Sequence, residues 1–518
     1  MRYFKKLLLP ILALAATMFT STGALAWGPQ ILTAATSWNC YGASYTSTDP
    51  NIPALTIKTN ENVVLNGCKF NNAVGTVILI ETTGSFTCTN CVITGGVGSG
   101  GIKGASGDMM GKGAAILVKT PPGAPSSAVA RVTLDTSRIT GKGVMININN
   151  YDGQASKGNV ALTVNNSRIY GENPNVLKQA QGRFIVGSKP VALKITNNDV
   201  TNTAGIKING LGYAMPEQLL ISRNTVYNVN GRLSTGNNGY LTTEPTDTTP
   251  NGEPIRRDLV QFVQLSYVKS AFNQSMEISW NQIINQPGSS GVEDNINIYQ
   301  TQGTPALPLR IANNFIRGAY PIDMNSASYS GGGIITDGWV NLYGIHSPAY
   351  VTIESNQVVD TVNYGISIAA GHHNIMSKNT VVGVNRLPSG NISRASNLGM
   401  AIWRGAKFGG PVLTADQIAA NADIEANFHD NSAKDNKVGW TRYDGTVDAN
   451  GNLVNPNGIN ATYWFQVCDP AVTGCSPITD VSNNIDLGLP ALTAGNAEFT
   501  VWQNKLTSAG VVIGPNWQ

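Results

Sequence analysis

The acidic residues and histidines that could carry out chemistry are concentrated between positions 293 and 373 of this chain. They are Glu293, Asp294, Asp323, Asp337, His346, His372 and His373. Only 13% of the residues are charged and four are histidines, so this concentration is informative. Carboxyl and imidazole groups are common general acids and bases in enzymes. The sequence therefore places the candidate chemistry in this segment.

Asp294 and Asp323 are the candidate carboxylate pair, because 29 residues separate them, about one turn of the repeat described below with its loop. Paired carboxylates serve as acid and base in glycoside hydrolysis. They also bind Ca²⁺, which would neutralise a uronate carboxyl and acidify its C5 proton for a lyase or an epimerase. His346 or Lys207 would then act as the base.

The adjacent residues His372 and His373 suggest a metal site. However, neighbouring residues on a strand point to opposite faces, and this pair falls in the bend after Gly371. A solvated turn is therefore favoured over a ligand pair. The chain also lacks the nucleophile elbow of hydrolases, the His-Glu-x-x-His zinc motif and a dinucleotide fingerprint in its required setting.

One six-residue motif recurs along the chain and must position these groups. It reads as an apolar residue, two variable residues, Asn, one variable residue and another apolar residue. Its copies span 195–200, 221–226, 278–283, 311–316, 353–358 and 376–381. Earlier copies span 65–70, 88–93, 134–139 and 164–169, with Cys68, Cys91, Ser137 and Ser167 at the Asn position. Repetition at this scale indicates a solenoid.

The solenoid is expected to consist of short strands. Apolar residues alternate in 206–208, 296–298 and 366–368, which is the period of a strand and not of a helix. In a parallel coil the same position stacks on itself every ~4.8 Å. An Asn at the bend would tolerate left-handed backbone geometry, and its amide would hydrogen-bond the copies above and below.

The repeat motif and the Gly-Ile strand before it, clearest in 364–381, resemble the right-handed parallel β-helix repeat of pectate-lyase-like proteins. The resemblance covers roughly residues 60–440 and implies an all-β fold. We expect a signal peptide at 1–26, an N-terminal cap at 27–60, the coil at 61–440 and a C-terminal cap at 441–518. The polygalacturonase Asn-Thr-Asp and His-Gly motifs and the Asp-Pro-His of mannuronan epimerases are absent.

Aligning the strands on the Asn position predicts two outward stripes of side chains. The first contains Lys207, Gln264, Asn297 and Asp323, and the second contains Asn209, Ser266, Tyr299 and Asn325. Such stripes form a long shallow groove suited to an extended polysaccharide. Tyr299 would offer a sugar ring an apolar face, with Lys207 and Asn297 beside it. An ordinary solvated strand face is the alternative for each residue.

The ends of the chain bear on its location. Residues 1–26 have a basic start, an apolar stretch too short to span a membrane and a small-x-small cleavage site. Removing them lowers Lys plus Arg from 34 to 31, which equals the 31 Asp plus Glu. A neutral mature chain argues against nucleic acid as a partner. We expect a secreted or periplasmic protein without a membrane span.

The six cysteines all lie in the mature chain, and an exported protein is expected to pair them. Cys68 and Cys91 share the Asn position one short rung apart, so their Cα atoms should lie ~5 Å apart, within reach of a disulfide. Cys40 with Cys88, and Cys468 with Cys475, are then the remaining pairs. A zinc site at Cys88 and Cys91 lacks a second ligand pair nearby.

The C-terminal region loses the repeat motif after Trp440 and contains a possible short helix around 498–506. It could be a cap with buried aromatic residues or a carbohydrate-binding module, given Trp440, Trp464 and Trp502. For the whole chain, the leading hypothesis is β-elimination in an extended, uronate-containing polysaccharide, with hydrolysis second. The competing hypothesis is a non-catalytic surface or matrix protein that binds glycan or acts in adhesion.

Overall fold

Three long parallel sheets wind around one apolar core and form a right-handed parallel β-helix. The computed structural model describes residues 26–96, 114–148, 159–242, 260–270, 274, 276–322, 330–393, 397–404, 414–443, 445–465, 478 and 480–517. Each turn of the coil adds one strand to each of the three sheets, always in the same order. The all-β fold expected from the repeats is therefore confirmed.

The described strands of each sheet follow one another along the coil. Sheet A contains Ala26–Trp27, Ser44–Ser47, Lys69–Asn72, Val92–Gly95, Arg138–Gly141, Arg168–Gly171, Asp199–Thr201, Thr225–Tyr227, Gln282–Ile284, Phe315–Ala319, Gln357–Thr361, Thr380–Gly383, Lys437–Arg442, Ile459–Asn460 and Ile485–Asp486. Sheet B contains Gln30–Leu32, Leu55–Ile57, Ile78–Glu81, Ile116–Lys119, Ile146–Ile148, Ile185–Ser188, Ile206–Asn209, Val263–Ser266, Asp294–Tyr299, Gly332–Asp337, Tyr364–Ile368, Leu398–Ile402 and Tyr463–Phe465. Sheet C contains Thr36–Asn39, Val63–Asn66, Ser85–Thr89, Val129–Asp135, Asn159–Asn165, Pro190–Thr196, Gln218–Ser222, Met276–Ser279, Leu309–Ala312, Val351–Glu354, Ile375–Ser377, Ser432–Lys434 and Asp480–Ser482. Ala214–Met215 pairs with Lys269–Ser270 outside these sheets.

The coil extends beyond the range 61–440 at both ends. Strands between Ala26 and Ser47 form a turn before it, and Tyr463–Phe465, Asp480–Ser482 and Ile485–Asp486 pair with the three sheets after it. Trp440 is fully buried in the core of the coil, whereas Trp464 lies on a strand with 46% of its surface exposed. The repeat motif fades near the end because Asn484 keeps the Asn position and Val481 the first apolar position, while Asp486 replaces the second apolar residue.

The apolar alternation fixes the core. Inward side chains of neighbouring sheet B strands stand in register, so Ile206, Val263, Ile296, Ile334 and Ile366 form one buried stack. Burying an aliphatic side chain contributes about 1.5–3 kcal/mol. The stacking repeats on every turn, so the coil needs no second core as it lengthens.

The Asn position forms the expected ladder. From Asn198 to Asn484, each Asn donates its backbone N–H and its side-chain amide to the Oδ1 of the next, with the amide distances between 2.8 and 3.0 Å. Each amide also donates to a backbone carbonyl of the preceding turn, as Asn314 does to Ile278 at 2.9 Å. The ladder therefore satisfies groups that are buried at the corner.

The left-handed residue of each corner is the one before the Asn, not the Asn itself. Its φ is 60° at Arg223, 56° at Trp280, 57° at Ser355 and 55° at Lys378. The expectation that the Asn takes this geometry is wrong, because the Asn must keep a conformation that points its amide along the ladder. The preceding residue makes the turn instead, whatever its type.

The four described cysteines form the disulfides Cys40–Cys68 and Cys88–Cys91, with Cα atoms 4.9 and 5.9 Å apart. The predicted pairs Cys68–Cys91 and Cys40–Cys88 are wrong. Asn39 pairs with Asn66 and Ser44 with Lys69, so Cys40 lies in the same corner as Cys68, one turn earlier. The corner that contains Cys40 is two residues longer than the corner that contains Cys68, so the sequence around Cys40 does not match the six-residue motif. Cys68 bonds this earlier neighbour, and Cys91 bonds Cys88 across the bend of its own turn.

Three predictions concern residues outside the described part of the chain. They are the signal peptide up to position 25, the role of Asp323 and the pair Cys468–Cys475. All three remain predictions.

In the part of the chain that the structure describes, two helices lie outside the coil: α1 (Ala415–Ala426) and α2 (Ala494–Ala509). Neither is long and apolar enough to cross a membrane, among the residues that the structure describes. Helix α2 covers the helix expected at 498–506. It packs on sheet A through Trp502, which is fully buried and contacts the ring of Phe315 at a centroid distance of 5.5 Å.

The chain after α2 runs back along the coil towards earlier turns. The carbonyl groups of the left-handed corner residues point outward and accept hydrogen bonds from this C-terminal segment. The donor and acceptor pairs are Lys505 Nζ with Ser355, Trp502 Nε1 with Asn313, Gly514 N with Arg223 and Trp517 Nε1 with Asn166. Residues 494–517 therefore brace turns that lie far apart in the sequence.

Candidate functional site

The outward stripes on sheet B have the predicted register over three strands. Lys207 pairs with Gln264, which pairs with Asn297, and Asn209 pairs with Ser266, which pairs with Tyr299. In the fourth strand the paired positions are Ile335 and Asp337, where Asp323 and Asn325 were expected. After Asn314 the chain forms Phe315–Ala319 and reaches sheet B again only at Gly332, so a fixed count from the Asn position ends too early.

Asn297 links two carboxyl groups on this face. Its side-chain amide donates to Asp294 Oδ2 at 3.1 Å and also bonds Asp337. Asp294 accepts a second bond from the hydroxyl of Tyr364. Asp294 is 3% exposed and both of its oxygens are engaged, so it suits positioning Asn297 better than exchanging protons with a ligand.

Asp337 lies at the end of its strand, beside Tyr299 on the neighbouring strand. Its Oδ1 accepts the backbone N–H of Gly338 at 2.7 Å. Burial raises the pKa of Asp337, opposed by the hydrogen bonds from Gly338 and Asn297. A carboxyl group of this kind retains its proton at higher pH than an ordinary Asp and can act as a general acid.

Three tyrosines extend from Asp337 towards the solvent. The rings of Tyr299 and Tyr267 meet edge to face at 5.4 Å, and those of Tyr267 and Tyr343 at 5.1 Å. Burial raises the pKa of Tyr267 to about 12, and that of Tyr299 well above its usual value. Both hydroxyls therefore remain protonated donors. Tyr343 is 47% exposed and offers a face on which a sugar ring could stack.

His346 closes the loop that carries Tyr343. Its Nδ1 is hydrogen-bonded to Asp423 Oδ2 of helix α1, and Asn341 donates to the same carboxylate oxygen at 2.9 Å. A carboxylate on Nδ1 selects the tautomer whose Nε2 carries the lone pair. The sequence grouped His346 with Asp294, but the structure pairs it with Asp423. Sequence reasoning missed this partner, which lies on a helix 77 residues away.

The predicted shallow groove is not open to solvent along the first stripe, which begins at Lys207. Lys207, Asn297 and Ile335 are all buried, so a polymer could not lie along that line of residues. The accessible part is the rim formed by Asp337, Tyr343 and His346. The calcium hypothesis depended on Asp323 and remains a prediction.

A second cluster lies in the bend after Tyr364–Ile368. One ring nitrogen each from His372, His373 and His429 lie within 4.8 Å of one another. Burial and the other two histidines lower the pKa of His372 to about 4. The stripes did not reveal this cluster. A usable signal was the match of 372–374, His-His-Asn, with 429–431, His-Asp-Asn.

No protein-family model matches the chain, and no curated protein matches it. Among solved structures, the periplasmic alginate epimerase AlgG aligns with a TM-score of 0.32 at 9% identity, over 87% of this chain and 77% of that chain. A double mutant of AlgG aligns at 0.31 and 10% identity, over 86% and 77%. The bacteriophage CBA120 tailspike protein 3 aligns at 0.26 and 9% identity, over 90% of this chain and 56% of its own. The site has to be interpreted from its own geometry.

Proposed function

We propose that the protein is exported and cleaves an extended, uronate-containing polysaccharide by β-elimination at the rim of sheet B. The observation that carries the proposal is the arrangement of Asp337 beside the tyrosine series that ends at Tyr343. A proton-retaining carboxyl next to an aromatic surface suits a glycan whose glycosidic oxygen must be protonated. The two disulfides support export, since such bonds persist in oxidising compartments.

In the proposed reaction His346 is the general base and Asp337 is the general acid. His346 Nε2 takes the C5 proton of the uronate, while Asp423 holds the imidazole in position through Nδ1. The C5–H electron pair forms the C4–C5 double bond, and the C4–O4 bond breaks. Asp337 gives its proton to the departing O4. His346 ends protonated and Asp337 ionised, and proton exchange with solvent restores both.

The base favours elimination over hydrolysis. Hydrolysis by paired carboxylates needs a second accessible carboxylate, and Asp294 is buried with both oxygens engaged. His346 has an orienting carboxylate and half of its side chain exposed. Hydrolysis and elimination leave different chain ends, so the products distinguish them.

The test is to incubate the mature protein with a panel of polyuronates and neutral polysaccharides. Elimination gives ultraviolet absorbance from unsaturated uronate ends together with new reducing ends. We expect Asp337→Asn and His346→Gln to lower kcat by about 10²- to 10⁴-fold. Asp199→Asn is the matched control, because the Asp199 carboxyl on sheet A also has a pKa raised by burial.

New reducing ends without absorbance would replace elimination by hydrolysis. Glycan retention without any product, in both the parent and the variants, would contradict catalysis and favour the binding protein. Full activity of both variants would contradict the assignment of the site.

A further inference from the structure

Three of the four histidines in the chain meet at two adjacent bends of the coil. His372 and His373 precede the strand Ile375–Ser377, and His429 precedes Ser432–Lys434 on the next turn. The backbone N–H of His373 donates to the carbonyl of His429 at 3.1 Å, which fixes the two bends against each other. The Asn residues that follow continue the alignment, since Asn374 N donates to Asn431 Oδ1 at 3.0 Å.

The alignment places four side chains in two rows. The rings of His372 and His429 stack at a centroid distance of 4.8 Å with an interplanar angle of 7°. In the second row His373 precedes Asp430, and His373 Nε2 lies 3.7 Å from Asp430 Oδ2. The same carboxylate oxygen lies 2.8 Å from His429 Nδ1. Two imidazoles and an imidazole–carboxylate pair thus face one another across adjacent turns.

The backbone explains why His372 and His373 can act together. Both second-row residues are left-handed, with φ of 54° at His373 and 52° at Asp430. This geometry breaks the alternation of a strand, so the two neighbouring rings turn to the same side and His372 Nδ1 lies 2.9 Å from His373 Nδ1. The sequence argument against a ligand pair assumed strand geometry and does not apply here. Left-handed geometry costs a non-glycine residue about 1 kcal/mol or more.

We propose that His372, His373 and His429 bind one divalent transition-metal ion of the zinc class. Imidazole nitrogens suit Zn²⁺, Cu²⁺ and Ni²⁺, whereas Ca²⁺ and Mg²⁺ require oxygen ligands. Ligands about 2.0–2.1 Å from a tetrahedral ion lie about 3.4 Å from each other. The 4.8 Å spread closes to that value by rotation of side chains that are partly exposed, at 42% for His373 and 25% for His429.

Neighbouring groups complete the site. Asp430 accepts from His429 Nδ1, which directs the other nitrogen of that ring to the metal and strengthens it as a ligand. The ring of Tyr350, one turn earlier, packs against one side of His373 at a centroid distance of 4.9 Å. Helix α1 lies between the two histidine bends in the sequence. The ion would therefore tie the end of this insertion to the coil.

The test uses the tag-free mature chain after treatment with EDTA, titrated calorimetrically with Zn²⁺. We expect one ion per chain and a rise of several degrees in Tm on binding. His429→Gln should weaken binding at least tenfold, and Asp430→Asn should weaken it less, since it keeps all three nitrogens. His346→Gln removes the fourth histidine and should bind Zn²⁺ as tightly as the parent. Ca²⁺ should give no heat at this site.

Two further readouts separate ligand loss from misfolding. The metal-free variants should retain the far-ultraviolet circular dichroism and Tm of the metal-free parent, and Co²⁺ should give the visible bands of a tetrahedral nitrogen site only where His429 is present. Failure of the parent to bind Zn²⁺ would overturn the proposal. Equal affinity of the parent and His429→Gln would also overturn it.

Discussion

Asp337 shows how a single residue depends on its surroundings. The raised pKa of its carboxyl comes from burial, while Gly338 and Asn297 oppose the shift through hydrogen bonds. The side chain is useful as an acid only while it keeps its proton. At the residue scale, the burial of Asp337 at the end of its strand is therefore as important for its proposed role as an acid as the carboxyl group itself.

The rate of cleavage should depend on pH through the protonation of Asp337. The folded pKa of Asp337 lies above its ordinary value, so the acid form persists at higher pH and is lost as the pH rises through the raised pKa. We expect kcat to fall on the alkaline side of the profile. Asn297→Ala removes one opposing hydrogen bond, so it should move that limb to higher pH. The pH dependence of kcat measures both, and an unchanged limb in Asn297→Ala would contradict the link.

At the scale of structural elements, the Asn ladder stabilises the corner between the strands of sheet C and those of sheet A. Asn314 accepts from the backbone and side chain of Asn281 at 3.0 and 2.9 Å, and it donates to Asn356. Its removal leaves several buried groups without partners. Such groups cost about 1–3 kcal/mol each when unsatisfied.

We therefore expect Asn314→Ala to lower the free energy of unfolding by about 2–4 kcal/mol. Asn314→Ser should cost less, because Ser137 and Ser167 occupy the same position in earlier turns and accept from the preceding backbone N–H. Urea denaturation midpoints measure the difference. Equal costs for the two variants would show that volume, and not hydrogen bonding, decides the effect.

The C-terminal segment acts at the scale of the whole molecule. Residues 494–517 contact corners from Ser355 back to Asn166, which belong to separate turns of the coil. In a solenoid each turn otherwise contacts only its neighbours. This segment therefore couples turns that would unfold independently.

Trp502→Ala should detach this brace. The buried indole packs on Phe315 and donates to Asn313 at 2.8 Å, and truncating a buried Trp costs about 3–5 kcal/mol. Limited proteolysis should cleave within 494–517 before the coil is digested. Trp464→Ala is the matched control, because nearly half of the surface of Trp464 is exposed. Equal protection of the segment in both variants would contradict the bracing role.

The sequence predicts those parts of the structure that depend on stacking within the coil. The alternation around Ile206 and Ile296 and the repeated Asn place Lys207, Gln264 and Asn297 in register, because inward positions must stack whatever the loops do. Loops carry no such constraint. For that reason Ile335 and Asp337 stand where Asp323 and Asn325 were expected.

The repeat pattern could not predict contacts between segments that are distant in the sequence. Asp423 reaches His346 from helix α1, and His429 reaches His372 after the same insertion, so neither partner has a place in the register of the stripes. The cysteine pairing failed for a related reason, since Cys68 has a stacked neighbour on either side. The pattern gave the positions but not the choice between them.

The Asn ladder also gives the coil a direction. Each amide from Asn198 to Asn436 presents its oxygen to the earlier turn and one of its two N–H groups to the later one, so the dipoles add like those of an α-helix. A growing coil thus ends in an open N–H donor, to which the side-chain oxygen of the next turn can bind. We expect turns to assemble in the order of synthesis, each finished corner acting as a template for the one that follows.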